Sequence, residues 1–255
     1  MTLDGRIAVV LGGTQGIGEA AARRLAEDGA TVGVIASASR DKAAGVADAI
    51  VDAGGRAFAE VADVTDAAAL ARLFRAVEEA HGRLDILVNS AGVFYPTPID
   101  ATPAAEIDRM IDINLKGTIF AIGQAVPLMK RGGGGAIVNV SSCAAFMGLN
   151  PYAVYCATKA AIAMLTRSLA LELAPQGIRI NAIAPGNTAT PINEDIRTKP
   201  ELKPFLDAMT ARTPSGRTYS EAADMAGLIA FLVSDAAKAI HGTTILADEG
   251  FTAGM

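Results

Sequence analysis

Tyr155 and Lys159 stand four residues apart in a stretch that reads as helix, so both side chains leave one face about one turn apart. A phenol is useful for proton transfer only if its acidity is brought down from a reference pKa of about 10. At an effective dielectric near 20, a unit positive charge about 4 Å away is worth roughly 4 kcal/mol, or about three pKa units, so a neighbouring ammonium has the right magnitude. Lys159 is otherwise odd, because Ala157, Ala160, Ala161, Ile162 and Met164 make its surroundings apolar and a lysine there needs a partner or a route to water. The bland alternative is a snorkelling lysine beside a half-buried tyrosine. Ser142 lies 13 residues before Tyr155, just past an apolar run, where its hydroxyl could donate to a substrate oxygen as charge develops. Serines at strand ends are also ordinary turn formers, and Ser141 competes with it for the role. His81 and His241 are the only histidines, and neither has a carboxylate–serine pattern that would make it a triad base. Scattered acids and two histidines give no metal-ligand spacing, so no metal is expected.

Proton transfer by a phenol needs a reaction partner, and the N-terminal glycines suggest one. The run Gly12-Gly13-Thr14-Gln15-Gly16-Ile17-Gly18 follows a short apolar strand and opens a helix, the setting in which backbone amides and the helix dipole hold a pyrophosphate. Alone it is weak, since a tight turn has the same composition. In open α/β sheets the rest of a dinucleotide lies at the carboxyl ends of neighbouring strands, here Ala36–Arg40, Asp63-Val64 and Asn89–Gly92. No acid ends the second strand to accept an NAD ribose hydroxyl. Ser37, Ser39 and Arg40 stand there instead, a set able to hold a 2′-phosphate, so NADP(H) is favoured and NAD(H) stays open. The alternative for Arg40 is a solvated helix start.

The elements that must position these groups alternate. Strands are expected at 6–11, 31–36, 56–61, 84–89, 136–141, 178–184 and 243–247, with helices at 17–28, 41–53, 66–81, 152–174 and 221–234. Residues 103–131 read as helical with room for a break, 132–135 as a flexible turn, and 187–219 as a stretch rich in Thr, Pro and charge. Nearly continuous apolar strands are what a parallel sheet covered on both faces requires. The expected fold is therefore α/β, a Rossmann-type doubly wound sheet of about seven mostly parallel strands in a single domain spanning 1–255, with 186–220 as a substrate lid.

Bulk properties agree with a small-molecule enzyme. A chain of 255 residues with 51% apolar content supports one large core, and a net charge of −5 without basic clusters argues against nucleic acid or an anionic membrane as partner. Cys143 and Cys156 lack metal or redox spacing and read as free thiols in a reducing compartment. The first apolar run is too brief for a signal-peptide core, and the longest apolar stretch, Ala153 to Ala174, is interrupted by Lys159, Arg167 and Glu172, so a cytoplasmic location is expected.

Taken together, the glycine loop, Asn89-Ser90-Ala91-Gly92, Asn114, Ser142, Tyr155-x-x-x-Lys159 and Pro185-Gly186 resemble the single-domain short-chain dehydrogenase/reductases over essentially the whole chain. The resemblance implies hydride transfer between a nicotinamide and a carbonyl or alcohol, in a homotetramer. It implies Tyr155 as general acid/base, Lys159 as the residue that holds the nicotinamide ribose and acidifies the phenol, Ser142 as the group that polarises the substrate oxygen, and Asn114 as the holder of a relay water. Gly12, Thr14, Gln15, Gly16, Ile17 and Gly18 would form the pyrophosphate loop, and Asp63 and Val64 the adenine contact. Asn89, Ala91 and Gly92 would support the cofactor, with Pro185, Gly186, Thr188 and Thr190 at its nicotinamide end. Leu11 stands where threonine is common, Ser90 replaces the usual second asparagine, and Glu249 interrupts the usual Asp-Gly-Gly, which puts that turn and the subunit contact in doubt. Phe94, Cys143, Met147 and Tyr152 are candidate substrate walls around Ser142, pointing to a medium-sized, largely apolar ketone or secondary alcohol. A carrier-bound 3-oxoacyl reductase, an epimerase or dehydratase, and a regulatory protein without turnover are the rival readings.

Overall fold

The computed structural model describes residues 2–253. The first half alternates strictly: β1 (Ile7–Leu11), α1 (Gly16–Glu27), β2 (Thr31–Ala36), α2 (Arg40–Asp52), β3 (Arg56–Val61), α3 (Ala67–His81) and β4 (Ile86–Asn89). Next come α4 (Ala104–Ile111), a π-helical turn (Asp112–Lys116), α5 (Gly117–Arg131), β5 (Gly135–Val140), α6 (Ala153–Leu173) and β6 (Ile178–Pro185). The remainder holds β7 (Thr188–Ala189), α7 (Glu194–Thr198), α8 (Lys203–Arg212), β8 (Ser220–Glu221), α9 (Ala222–Val233) and β9 (Thr244–Ala247).

Seven of these strands form one sheet in the order β3-β2-β1-β4-β5-β6-β9, every pairing parallel. This is the expected doubly wound α/β sheet. Alternate residues of each strand enter different cores. Val10, Val34, Val88 and Val138 pack with Leu25 of α1 and Ile229 of α9, whereas Val9, Ile35, Leu87 and Ile137 pack with Phe74 of α3 and Leu128 of α5. With both faces covered, the central strands are apolar at nearly every position, and β1 is so throughout.

Strand order reverses between β1 and β4, so their carboxyl ends diverge and leave a crevice. The glycine loop follows β1 and Ser90-Ala91-Gly92 follows β4, which puts both at that switch. Two expectations are refined. The break within 103–131 is the π-helical turn at Asp112–Lys116, and the Thr- and Pro-rich stretch, for which the sequence suggests no element, contains α7 and α8, while β7 and β8 pair with each other. Helix α6 is long and apolar enough to cross a membrane by length and composition alone, but in this fold it packs against β6 and carries Tyr155 and Lys159 to the crevice.

Candidate active site

A cleft of about 1020 Å³ runs along the carboxyl edge of the sheet. Its lining brings together Thr14, Gln15 and Gly16 of the loop, Ser37 and Ser39 after β2, Asp63 and Val64 after β3, Ala91 and Gly92 after β4, and Ser142, Tyr155 and Lys159. Gly12, Ile17, Pro185, Gly186, Thr188 and Thr190 also line it, as do the expected wall residues Phe94, Cys143, Met147 and Tyr152.

The loop end is built for close approach. Gly12 and Gly16 have φ of 72° and 56°, a region glycine enters without strain, and the Gly12 and Gly13 amides are tied to the Ile35 carbonyl at 3.1 and 3.2 Å. A Cβ on Gly12 would lie 2.8 Å from Ala91 Cα, and one on Gly18 would collide with the Gly12 carbonyl. Gly18 thus acts by packing under the loop and does not line the cleft. The first-turn amides of α1, which continues directly from the loop, have no intrahelical carbonyl to bond.

Asp63 Oδ1 accepts from Thr65 N at 2.9 Å and Thr65 Oγ1 at 2.8 Å, which fixes the carboxylate at the cleft end beside β2 and β3. Arg40 departs from expectation. It lies outside the lining and pairs with Glu60 at 3.2 Å, because β3 runs beside β2 and brings that carboxylate to the helix start. Lys42, two residues further along α2, lines the cleft in its place, and Ser39 caps that helix by accepting from Lys42 N.

At the other end the catalytic candidates converge. Lys159 is 6% exposed, and its Nζ donates to the Val140 carbonyl at 2.9 Å and lies 5.6 Å from the Tyr155 ring centroid. Ser142 Oγ accepts from Ala144 N at 3.1 Å, which fixes the oxygen and leaves its own proton to donate. The Tyr155 ring meets Phe94 edge-on at 4.8 Å, and Phe94 stacks flat on Tyr152 at 4.3 Å. Burial pushes Tyr155 up to about 12, opposed by its hydrogen bond with Ser142, and pushes Lys159 down to about 8. The expected acidification of the phenol by Lys159 is therefore not produced by the protein groups alone: burial sets the direction, and the opposing contribution comes from Ser142.

Asn114 and Asn89 stand behind the lining. The Asn114 amide grips Val93, accepting from its N–H at 2.8 Å and donating to its carbonyl at 3.0 Å, with Nδ2 3.3 Å from Thr158 Oγ1. A Cβ on Gly92 would sit 3.4 Å from Asn114 Oδ1 and 3.6 Å from Lys159 Nζ, so both groups flank that glycine. Asn89 Nδ2 donates to Asn139 Oδ1 at 2.8 Å, and Asn139 Nδ2 to Thr166 at 2.9 Å, a buried chain joining β4, β5 and α6. Glu249 takes a positive φ of 59°, so the usual glycine conformation survives the substitution, and the carboxylate is held by Arg217 at 2.5 Å and Ser220 at 2.9 Å.

The fit to a dinucleotide can be judged from the protein alone. Besides the glycine cradle, Thr188 lines the cleft with its Oγ1 buried and lacking a partner among the described residues, as expected of a group kept for a ligand. The sequence reading missed the outer wall: Phe205, Met209 and Arg212 of α8 and Phe251 beyond β9 line the cleft too. Their spacing of four and three along 205–212 was the available signal.

Residues 12–252 match a family model described as enoyl-(acyl carrier protein) reductase. The cis-4-hydroxycyclohexanecarboxylate dehydrogenase of Sinomonas cyclohexanicum is 41% identical, over 97% of this chain and 97% of its own. A 3-oxoacyl-[acyl-carrier-protein] reductase of Staphylococcus aureus is 39% identical, over 95% of this chain and 96% of its own. A gluconate 5-dehydrogenase from Burkholderia cenocepacia, solved with NADP and tartrate, superposes with a TM-score of 0.93 at 32% identity, covering 100% of this chain and 98% of that one. Similar solved structures hold NADP or NADH. With a matching sheet, a cleft fitted to a dinucleotide and these relatives, the chain belongs to the short-chain dehydrogenase/reductase family and is an NAD(P)-dependent oxidoreductase acting on alcohol or carbonyl groups.

Proposed function

We propose that the enzyme interconverts a medium-sized, largely apolar ketone and its secondary alcohol, with Tyr155 as general acid/base. The observation that carries this is the meeting of Ser142, Tyr155 and Lys159 beside an aromatic and aliphatic wall at one end of the cleft. Bound nicotinamide dinucleotide supplies or accepts the hydride. Ser142 turns its hydroxyl proton from the phenol oxygen to the substrate oxygen, and Tyr155, whose phenol the protein keeps protonated near neutrality, transfers its own proton to that oxygen in the reductive direction. Lys159, anchored on Val140, retains N–H donors for the nicotinamide ribose and places positive charge beside the phenol. Asn114 holds the backbone at Val93 and supports a proton-relay path at Gly92 beside Lys159. Thr188 and Thr190 serve the carboxamide end.

NADP(H) is the preferred cofactor in this reading. Ser37, Ser39 and Lys42 line the adenosine end, and no carboxylate follows β2 to repel a 2′-phosphate. A lower Michaelis constant for NADPH than for NADH is expected, and a preference for NADH would reverse the assignment. Residues 186–220 form the lid over the substrate. A homotetramer is supported by apolar side chains exposed on α5 and α6, among them Phe120, Met164 and Leu171; light scattering tests it. The free thiols Cys143 and Cys156 suit the cytoplasm. A carrier-bound 3-oxoacyl thioester is the second reading, favoured by the Staphylococcus aureus relative.

The test is a spectrophotometric scan of NADPH and NADH oxidation across ketones and 3-oxoacyl thioesters, with Tyr155→Phe as control. Turnover of ketones by the wild type and not by the variant is expected. Turnover confined to charged acyl thioesters overturns the substrate assignment.

A further inference from the structure

The segment between β7 and β8 carries five cations, and four are already engaged. Arg197 donates to the Thr190 carbonyl at 3.1 Å and Asn193 Oδ1 at 3.3 Å, Lys199 to Asp195 at 2.9 Å, Lys203 to Asp207 at 2.8 Å, and Arg217 to Asp224 and Glu249. Arg212 is the exception: among the described residues it has neither hydrogen bond nor ion pair, and its guanidinium lies 4.8 Å over the Phe251 ring. Stacking on an aromatic face holds a guanidinium in place without consuming its donors. Arg212 and Phe251 both line the cleft. Phe251 is itself positioned by the turn after β9, where its amide donates to the Asp248 carbonyl at 2.9 Å.

Along α8 the cleft-lining residues are Phe205, Met209 and Arg212, one helical stripe that runs from apolar to cationic. The other arginine in the lining, Arg109, also lies over an aromatic ring, Tyr95 at 5.9 Å, but two carboxylates close to it in sequence, Asp108 and Asp112, line the cleft with it, whereas no acidic residue of α8 lines the cleft beside Arg212. We infer that Arg212 is a specificity residue that binds a carboxylate at the end of the substrate remote from the reacting carbon, so that the enzyme's substrates are oxo acids or hydroxy acids with an apolar body.

This rests on the ketone/alcohol reading, and the experiment separates the two. Wild type, Arg212→Ala and Arg212→Lys are assayed with NADPH on cyclic and linear oxo acids, each paired with its neutral methyl ester, and NADPH affinity is measured by fluorescence. A charge-assisted bond lost on truncation lowers kcat/KM for the acids by about 10- to 100-fold, mainly through KM. The esters change less than about threefold, Arg212→Lys recovers part of the loss, and NADPH affinity is unaltered. Equal losses on acid and ester, a loss explained by weaker NADPH binding, or a wild type that reduces esters without preferring acids overturns the role of Arg212 and leaves the ketone reading standing. No turnover of either series by wild type overturns both.

Discussion

The floor of the cleft and the segment over it are built on opposite principles. On the floor, Asn114, Ser142 and Lys159 are each at most 9% exposed, and their polar atoms are tied to backbone at Val93, Ala144 and Val140. Over it, residues 187–219 present mostly exposed side chains held by one-turn ion pairs such as Lys199–Asp195 and Lys203–Asp207. Buried bonds within a parallel sheet hold geometry, whereas exposed pairs contribute about 0–1 kcal/mol and yield easily. The division suits an enzyme whose chemistry is fixed and whose substrate choice is set at the rim.

The sharpest way to break this comparison is to remove a floor group without disturbing the fold. Tyr155→Phe keeps the ring and its edge-on contact with Phe94. Its kcat is expected to fall by about 10²–10⁴-fold with dinucleotide affinity retained, the magnitude of a lost general acid. A variant with near-normal kcat would assign proton transfer elsewhere.

Lys159→Met separates activity from stability. Burial lowers the Lys159 pKa from an ordinary 10.5 to about 8. The unfolded chain therefore binds more protons between pH 8 and 10.5, so stability contributed by this site rises with pH through that window, and at pH 7 the buried charge destabilises the fold. Replacing it by an apolar side chain of similar length is expected to raise the unfolding free energy measured in urea by about 1–3 kcal/mol while lowering kcat/KM at least about 100-fold. In the wild type, reductive kcat/KM is expected to hold below pH 8 and fall above it as the ammonium is lost, since its folded-state pKa is about 8. A profile that climbs through that range would contradict the requirement for the charged lysine.

Phe94→Ala tests how far the wall positions the phenol. It removes the edge-on contact to Tyr155 and the stack on Tyr152. A loss of about tenfold in kcat/KM, shared between kcat and KM, is expected from aromatic contacts worth about 0.5–1.5 kcal/mol. An effect confined to KM would make Phe94 wall only.

How much of this was legible follows the same division. Floor residues announce themselves because helical spacing forces Tyr155 and Lys159 to one face and the glycines sit between β1 and α1, all local relations in sequence. Non-local relations were invisible. Nothing within the segment 36–42 shows that Glu60 would draw Arg40 away and leave Lys42 at the cleft, since that depends on β3 lying beside β2. The sign of the Tyr155 shift was lost for a similar reason, because spacing places the cation one turn away but does not show the burial that raises the phenol. In the upper segment, Pro200 and Pro204 each stand in the first turn of a helix, where a proline's missing N–H costs nothing, so a Thr- and Pro-rich composition did not show the helices there. The five-residue π-helical turn holding Asn114 has a period no amphipathic pattern reports.

The smallest effect is expected where the pairing looks most plentiful. Lys203 meets Asp207 at 2.8 Å, but both side chains are more than half exposed, the lysine sits in the first turn of α8 where the dipole disfavours a cation, and the basic residue precedes the acidic one. Lys203→Ala therefore removes a weak attraction together with an unfavourable placement. Its unfolding free energy should lie within about 0.5 kcal/mol of wild type, with kcat unchanged. A destabilisation beyond about 1 kcal/mol would show that the ion pairs over the cleft carry the fold as the floor's bonds do, and the contrast between the two regions would have to be given up.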